Sequence, residues 1–254
     1  MIPKTIHYCW FGSEKMSELE LKCIASWKKF LPDYTFQLWN EENFEIGYCE
    51  FTREAYRLGK FAFVSDVARI YALKHVGGIY LDTDMLLLKS LDNLLENDFF
   101  IGEYKPKALN AAIIGSIVGH SVLINLLEYY QRLDFNWDRP KTIPDIFDEI
   151  IWALPHTQVK IFPPEYFYPL SLKNKDQDYS KFIVSNSYTV HLWNHSWKDE
   201  FSLLKEFKFL ASIQLLSYHL YRFPSLYFNQ DYLIKYITYS KRMVKQYLYM
   251  RFKS

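Results

Sequence analysis

Along its first third, the chain alternates between two hydrophobic periods. Residues 3–9 and Thr35–Trp39 follow the two-residue period of strands. Residues 17–30, 51–58 and 61–75 instead place apolar side chains three and four apart, as helices do. Leu31-Pro32-Asp33 supplies a turn between the first helix and the second strand. In the third helix Val67, Ile70, Tyr71 and Lys74 share a face, Ala68, Ala72 and Leu73 widen it, and Gly77-Gly78 ends it. A strand Ile79–Leu81 then delivers Asp82 and Asp84, and Met85–Leu88 continues the apolar run. Further on, the pattern predicts a strand Phe99–Glu103, an apolar segment 109–115, a helix 119–132 and an alternating run Tyr188–Trp193. Between the last two lies a Pro-punctuated stretch, Asp138–Pro169, which reads as an insertion. Strands alternating with helices predict an α/β fold, a Rossmann-like mixed sheet with helices on both faces and ligands beyond the strand ends.

Charge divides the chain. From Lys205 onward there are nine basic and two acidic residues, a net +7, which leaves −6 for residues 1–204 of a chain whose total is +1. This step predicts a catalytic domain 1–204 and a basic, aromatic-rich helical extension 205–254. Leu233, Ile237, Ser240, Val244 and Leu248 fall on one helical face, with Lys235, Arg242 and Lys245 expected largely opposite and Arg251 off the pattern. Such a helix suits an anionic membrane surface, or alternatively a docked or dimer contact. The acidic remainder argues against nucleic acid as a partner. Cys9, Cys23 and Cys49 are odd in number and lack a metal spacing, which argues against a disulfide scaffold. With no signal-like start and no membrane-length apolar run, the expected location is cytoplasmic, peripheral on the inner face of the cell membrane.

Asp82 and Asp84 carry the most specific chemistry. Continued strand alternation would point both carboxylates the same way. An isolated Asp-x-Asp is more often an ordinary solvated turn. Set between apolar runs, however, two like charges that lose water need a compensating cation. Hard oxygen ligands suit Mg²⁺ or Mn²⁺, which in turn hold diphosphates. On the preceding helix Asp66 and Arg69, three residues apart, form one polar unit among apolar neighbours. Trp10, at a strand exit before Gly12, either packs in the core or stacks on a planar base. His191 is the candidate third metal ligand and His195 its competitor; imidazole favours Mn²⁺ over Mg²⁺. His7, His75, His120, His156 and His219 read as structural.

The block Ser65-Asp66-x-x-Arg69, then Gly77-Gly78-x-Tyr80-Leu81-Asp82-x-Asp84, resembles the sugar-binding region of the family-32 glycosyltransferases, and a similar pattern marks the large clostridial glucosylating toxins. Ile2–Gly12 is similar to the family's first strand and nucleotide-contacting loop, and His191-x-x-x-x-Ser196-Trp197 to its C-terminal loop. The resemblance implies a GT-A fold, a nucleotide-diphosphosugar donor, a divalent metal (Mn²⁺ or Mg²⁺) and retention of anomeric configuration. It further implies that Asp82 and Asp84 serve the metal, sugar and phosphates, that Asp66 and Arg69 contact the donor sugar, and that Ser65 and Tyr80 line the site. Trp10 and the Cys9 backbone would hold the base, Ser196 and Trp197 would close over the diphosphate, and Asn110 would lie near the reacting sugar. The Asp138–Pro169 stretch would then face the acceptor.

The expected activity is metal-dependent glycosyl transfer, UDP-sugars preferred, to a glycan or lipid-linked oligosaccharide in cell-surface or capsular polysaccharide synthesis. A non-catalytic sugar-nucleotide or glycan-binding module is the alternative. A haloacid-type phosphatase also begins with Asp-x-Asp, but it wants Thr or Val where this chain has Leu86, and it places the motif near the N-terminus.

Overall fold

The computed structural model describes residues 1–136, 141–153, 159–194, 200–222 and 230–253. Contacts divide the chain into two compact units, Met1–Asn194 and His195–Ser254. The division falls ten residues before the step in charge.

In the first unit, β1 (Thr5–Cys9) leads to α1 (Glu18–Phe30). Ser17 caps this helix in a reciprocal capping box with Glu20, which satisfies two otherwise orphaned N–H groups. Then come β2 (Thr35–Trp39), α2 (Glu50–Arg57), α3 (Phe61–Val76), β3 (Gly78–Leu81) and β4 (Met85–Leu87). They are followed by β5 (Phe99–Lys105), β6 (Ala108–Ser116), α4 (Ser121–Gln131), α5 (Ile143–Ile151), β7 (Lys160–Phe162), α6 (Pro164–Phe167) and β8 (Thr189–His191). Six strands form one sheet in the order β2-β1-β3-β6-β5-β7, and β4 pairs with β8 in a second. Only β6 runs against its five companions in the larger sheet.

The alternation of β1 assigns a helix to each face. Ile6 belongs to the main core with Cys23 and Trp27 of α1, and Tyr8 meets Trp27 edge-on. On the opposite face the His7 ring accepts from Trp39 Nε1 at Nδ1 (3.0 Å), so Nε2 carries the proton donated to Gly77 O (2.7 Å). Burial lowers the His7 pKa, in keeping with this neutral, structural role. Cys9, on the same face, lies against Ser65 of α3. The mixed sheet with helices on both faces is therefore the architecture that the pattern predicts.

Two expectations change. The strand run ends at Leu81, and Met85 N–H returns to Asp82 O at 3.0 Å, so a tight turn replaces continued alternation between the two aspartates. The turn carries the chain from one sheet to the other. Nor is residues 138–169 an insertion throughout: β7 extends the main sheet beside β5, and α6 follows at once. Pro144, Pro163 and Pro164 sit at or just before helix starts, where a missing N–H costs nothing.

The second unit contains α7 (Glu200–Lys205), α8 (Phe209–Arg222) and α9 (Gln230–Lys253). Leu204, Leu216, Tyr232, Tyr236 and Met243 form its core. The packed face of α9 is thus the Tyr232/Tyr236/Met243 face. Ile237, Val244 and Leu248, the face expected to be apolar, are exposed. Lys245 borders that face instead of opposing it, because it follows Val244 by only one residue, about 100° around the helix.

Candidate active site

The site forms where β3 ends. Gly77 closes α3 with φ +69°, and Gly78 follows at φ +113°, a conformation open to glycine. A Cβ on Gly78 would lie 2.5 Å from Thr5 O, so β3 enters beside β1 only because that atom is missing. Four residues after Gly78, Asp82 leaves the sheet, its N–H held by Ala112 O at 2.8 Å.

Asp66, Arg69, Tyr80 and Asp82 form one network. Arg69 Nη2 donates to Asp66 Oδ1 (2.9 Å), and Nη1 donates to Ala111 O (2.9 Å) while lying 3.2 Å from Asp82 Oδ1. The guanidinium sits 4.4 Å from the centre of the Tyr80 ring, whose hydroxyl donates to Asp82 Oδ1 at 2.9 Å. Planar Arg can stack and fork in this way; Lys cannot. Burial pushes the Asp66 carboxyl up to about 7, against the pull of Arg69. Burial also raises the Cys9 thiol to about 12. Asp82, by contrast, is about one-third exposed, with 31% of its side chain reaching solvent.

Asp84 faces β8. Its Oδ1 lies 3.1 Å from His191 Nε2, and its Oδ2 accepts from the Asn194 N–H at 2.8 Å. Burial opposes ionisation of Asp84, but the imidazole and the amide outweigh it and the pKa is lowered. Burial likewise works against charge on His191, and Asp84 reverses it, so the His191 pKa is raised. His191 is flanked by Trp193 (ring centroids 4.0 Å apart) and Tyr168 (5.9 Å). Trp193 adopts φ +53°, rare for a bulky residue. Its indole donates to Leu170 O at 2.8 Å, which fixes the ring beside the imidazole.

Ligand atoms of Asp82, Asp84 and His191 all lie within 4.8 Å of one another. They suit a divalent cation: two carboxylates, one imidazole, and a buried His191 Nδ1 with no hydrogen-bond partner among the described residues. Ser65, Trp10 and Asn110 each make a local contact of their own. Ser65 returns its hydroxyl to Phe61 O within α3. Trp10 is half-buried, so it is not a core indole, and its Nε1 donates to Glu14 O at 2.6 Å. Asn110 sits on β6 beside the Ala111 and Ala112 carbonyls that Arg69 and Asp82 use, and its Oδ1 accepts from Ala112 N–H. The β5–β6 register slips between Ile101 and Gly102, a bulge next to the site. Ser196, Trp197 and His195 lie outside the described residues.

Four contributors escape motif reading. Trp193 and Tyr168 flank His191; Asn194 holds Asp84 through its backbone; and Glu20, buried at the start of α1, accepts from the Asn194 side chain. The only advance signal was the capping-box spacing of Ser17 and Glu20.

Residues 17–101 match the glycosyltransferase sugar-binding region containing the DXD motif, and residues 120–213 match the alpha 1,4-glycosyltransferase conserved region. The first match takes in Asp66, Arg69, Tyr80, Asp82 and Asp84, and the second takes in His191 and Asn194. The two halves of the site thus fall in regions similar to a DXD-containing and an alpha 1,4-glycosyltransferase family. Inositol phosphoceramide mannosyltransferase 3 of Schizosaccharomyces pombe is 30% identical over 169 residues, 60% of this chain and 45% of the relative. Lactosylceramide 4-alpha-galactosyltransferase of Homo sapiens is 28% identical over 152 residues, 52% of this chain and 41% of the relative. The chain spans about half the length of these curated relatives or less. Among solved structures, the PaToxG glycosyltransferase aligns with TM-score 0.49 and 21% identity, covering 60% of this chain and 69% of that one.

Proposed function

We propose that this chain moves a sugar from a nucleotide diphosphosugar to a hydroxyl of a glycan or glycolipid, with retention of anomeric configuration. The observation that carries the reading is the convergence of Asp82, Asp84 and His191 beside the Asp66–Arg69 pair. The acceptor class follows the relatives, both named for ceramide-based lipids. Retention is supported by the match to an alpha 1,4-glycosyltransferase region.

Asp82, Asp84 and His191 would hold a divalent cation, Mn²⁺ in preference to Mg²⁺, which when bound counters the charge that builds on the departing diphosphate. Asp66 would accept from a donor-sugar hydroxyl, while Arg69 fixes Asp66 and Asp82 relative to each other. Tyr80 and Ser65 would line the sugar pocket, and Trp10 with the Cys9 backbone would receive the base. Asn110 would lie beside the reacting sugar, and Ser196 and Trp197 would cover the diphosphate and exclude water. The anomeric C–O bond to the diphosphate breaks as the bond to the acceptor oxygen forms, and the acceptor proton passes to the leaving phosphate oxygen. No carboxylate of the network is then needed as a general base.

The test is a screen of UDP- and GDP-sugars with Mn²⁺, with and without a ceramide glycolipid, for release of nucleoside diphosphate. We expect turnover of one donor class, UDP-sugars first, lost on chelation and in Asp84→Ala. Donor binding without turnover under any acceptor condition would instead mark a non-catalytic sugar-nucleotide module.

A further inference from the structure

Eleven of the nineteen exposed large hydrophobic side chains among the described residues fall between Leu210 and Phe252. They are not scattered. On α8, Leu210, Ile213 and Tyr221 recur at helical spacing, with Leu210 79% and Tyr221 86% exposed. On α9, Ile234, Ile237, Val244, Leu248 and Phe252 form a second stripe, ending in Phe252 at 83% exposure. This stripe lies opposite the Tyr232/Tyr236/Met243 face that packs inward, so α9 is apolar on two sides. Between the helices runs a groove of about 550 Å³ lined by Ile213, Ile237, Val244 and Leu248, with Lys241 and Lys245 in its wall. Single exposed apolar residues are ordinary on a soluble surface; a continuous apolar stripe is not.

We infer that the second unit binds the surface of an anionic lipid bilayer through this exposed face of α8 and α9. Charge selects the occupant. Residues 232–254 hold six basic residues and no acidic one. Lys241 and Lys245 lie within the stripe, where their alkyl stems can cover apolar surface while the ammonium groups reach lipid phosphates. A second copy docked by two-fold symmetry would set this lysine-bearing face against itself, with no carboxylate on α9 beyond residue 231 to answer it. The aromatic residues Tyr218, Tyr221, Tyr249 and Phe252 suit the boundary between headgroups and acyl chains. No helix among the described residues is long and apolar enough to cross a membrane, so the contact lies in the plane of the surface.

The inference is independent of the sugar-transfer reading, since vesicle binding needs no donor and nucleoside diphosphate release needs no vesicle. The full chain is floated with phosphatidylcholine vesicles with and without phosphatidylglycerol, at low and high salt. Binding should require the anionic lipid and weaken with salt. Replacing both lysines, Lys241→Gln with Lys245→Gln, should lower partitioning roughly thirtyfold, about fivefold per charge. Leu248→Ser with Phe252→Ser should lower it by at least about tenfold. All four positions are off the packed core, so an unchanged melting temperature verifies the fold of each variant. Equal binding to neutral and anionic vesicles, or binding to neither, would overturn the inference. So would a lipid-free dimer that the Leu248/Phe252 pair of substitutions disperses, because the stripe would then belong to a second copy.

Discussion

Arg69 Nη1 lies 3.2 Å from Asp82 Oδ1, so a side chain within α3 reaches the carboxylate at the end of β3. The same guanidinium holds Asp66 and stacks on Tyr80. One buried cation therefore sets the spacing of two carboxylates from different elements. Arg69→Ala would leave Asp66 buried without its partner, a loss of about 3–5 kcal/mol in denaturant unfolding. Arg69→Lys keeps the charge but cannot stack and fork at once. It should fold more stably than the alanine variant and still lose at least about 100-fold in turnover. Full activity in the lysine variant would show that charge alone suffices.

Asn194 couples α1 to the site. Its backbone N–H reaches Asp84 Oδ2, and its side chain reaches the buried Glu20. Asn194→Ala retains the first bond and removes the second, leaving a buried acceptor unpaired at a cost of about 1–3 kcal/mol. We expect the concentration of Mn²⁺ giving half-maximal activity to rise about 10–100-fold, as for lost support around a metal ligand. The donor KM should change less. Equal shifts in both would indicate general loosening instead.

Much of the fold and of the site can be read in the sequence. The strand Thr35–Trp39 appears as the alternation predicts, and α1 spans Glu18–Phe30 where the pattern places a helix over 17–30. Asp66, Arg69, Asp82 and Asp84 come together because one helix, one glycine turn and one strand are contiguous in sequence. Two kinds of feature were hidden. The turn between Asp82 and Met85 looks in sequence like an unbroken strand, since apolar residues flank it on both sides. Contacts across long sequence separations leave no local pattern either: β7 joining β5, Trp193 beside His191, Asn194 on Glu20. On α9, tyrosines form the packed face, and simple polarity ranks them below the isoleucine and leucine that stay outside.

Cys9 and Cys23 are both buried, and burial pushes each thiol up to about 12. Thiolate is the reactive form, so at pH 8 only about one molecule in ten thousand presents it at either position. Iodoacetamide should leave Cys9 and Cys23 of the folded chain intact over a time in which the denatured chain is alkylated at all three cysteines. Rapid labelling of Cys9 in the folded protein would show that its neighbourhood opens.

Gly115 of β6 is packed against Phe100, whose ring would lie 2.0 Å from an added Cβ. Gly115→Ala should cost about 1–3 kcal/mol through overpacking, lowering the melting temperature by about 2–12 °C for a domain of this size. Phe100→Leu in the same chain should recover part of the loss by making room. Calorimetry of the single and double variants checks both statements.

If Asp82, Asp84 and His191 act together on one cation, a Mn²⁺ titration followed by paramagnetic resonance will show it. The wild-type chain should bind one Mn²⁺, Asp84→Ala should bind none, and His191→Ala should bind at least about tenfold more weakly. Because Asp84 raises the His191 pKa above 6.5, the imidazole stays protonated to higher pH without metal, and Mn²⁺ must displace that proton. Affinity should therefore fall as pH is lowered through neutrality in the wild type, and fall less in His191→Ala. Equal binding by all three proteins would contradict the account.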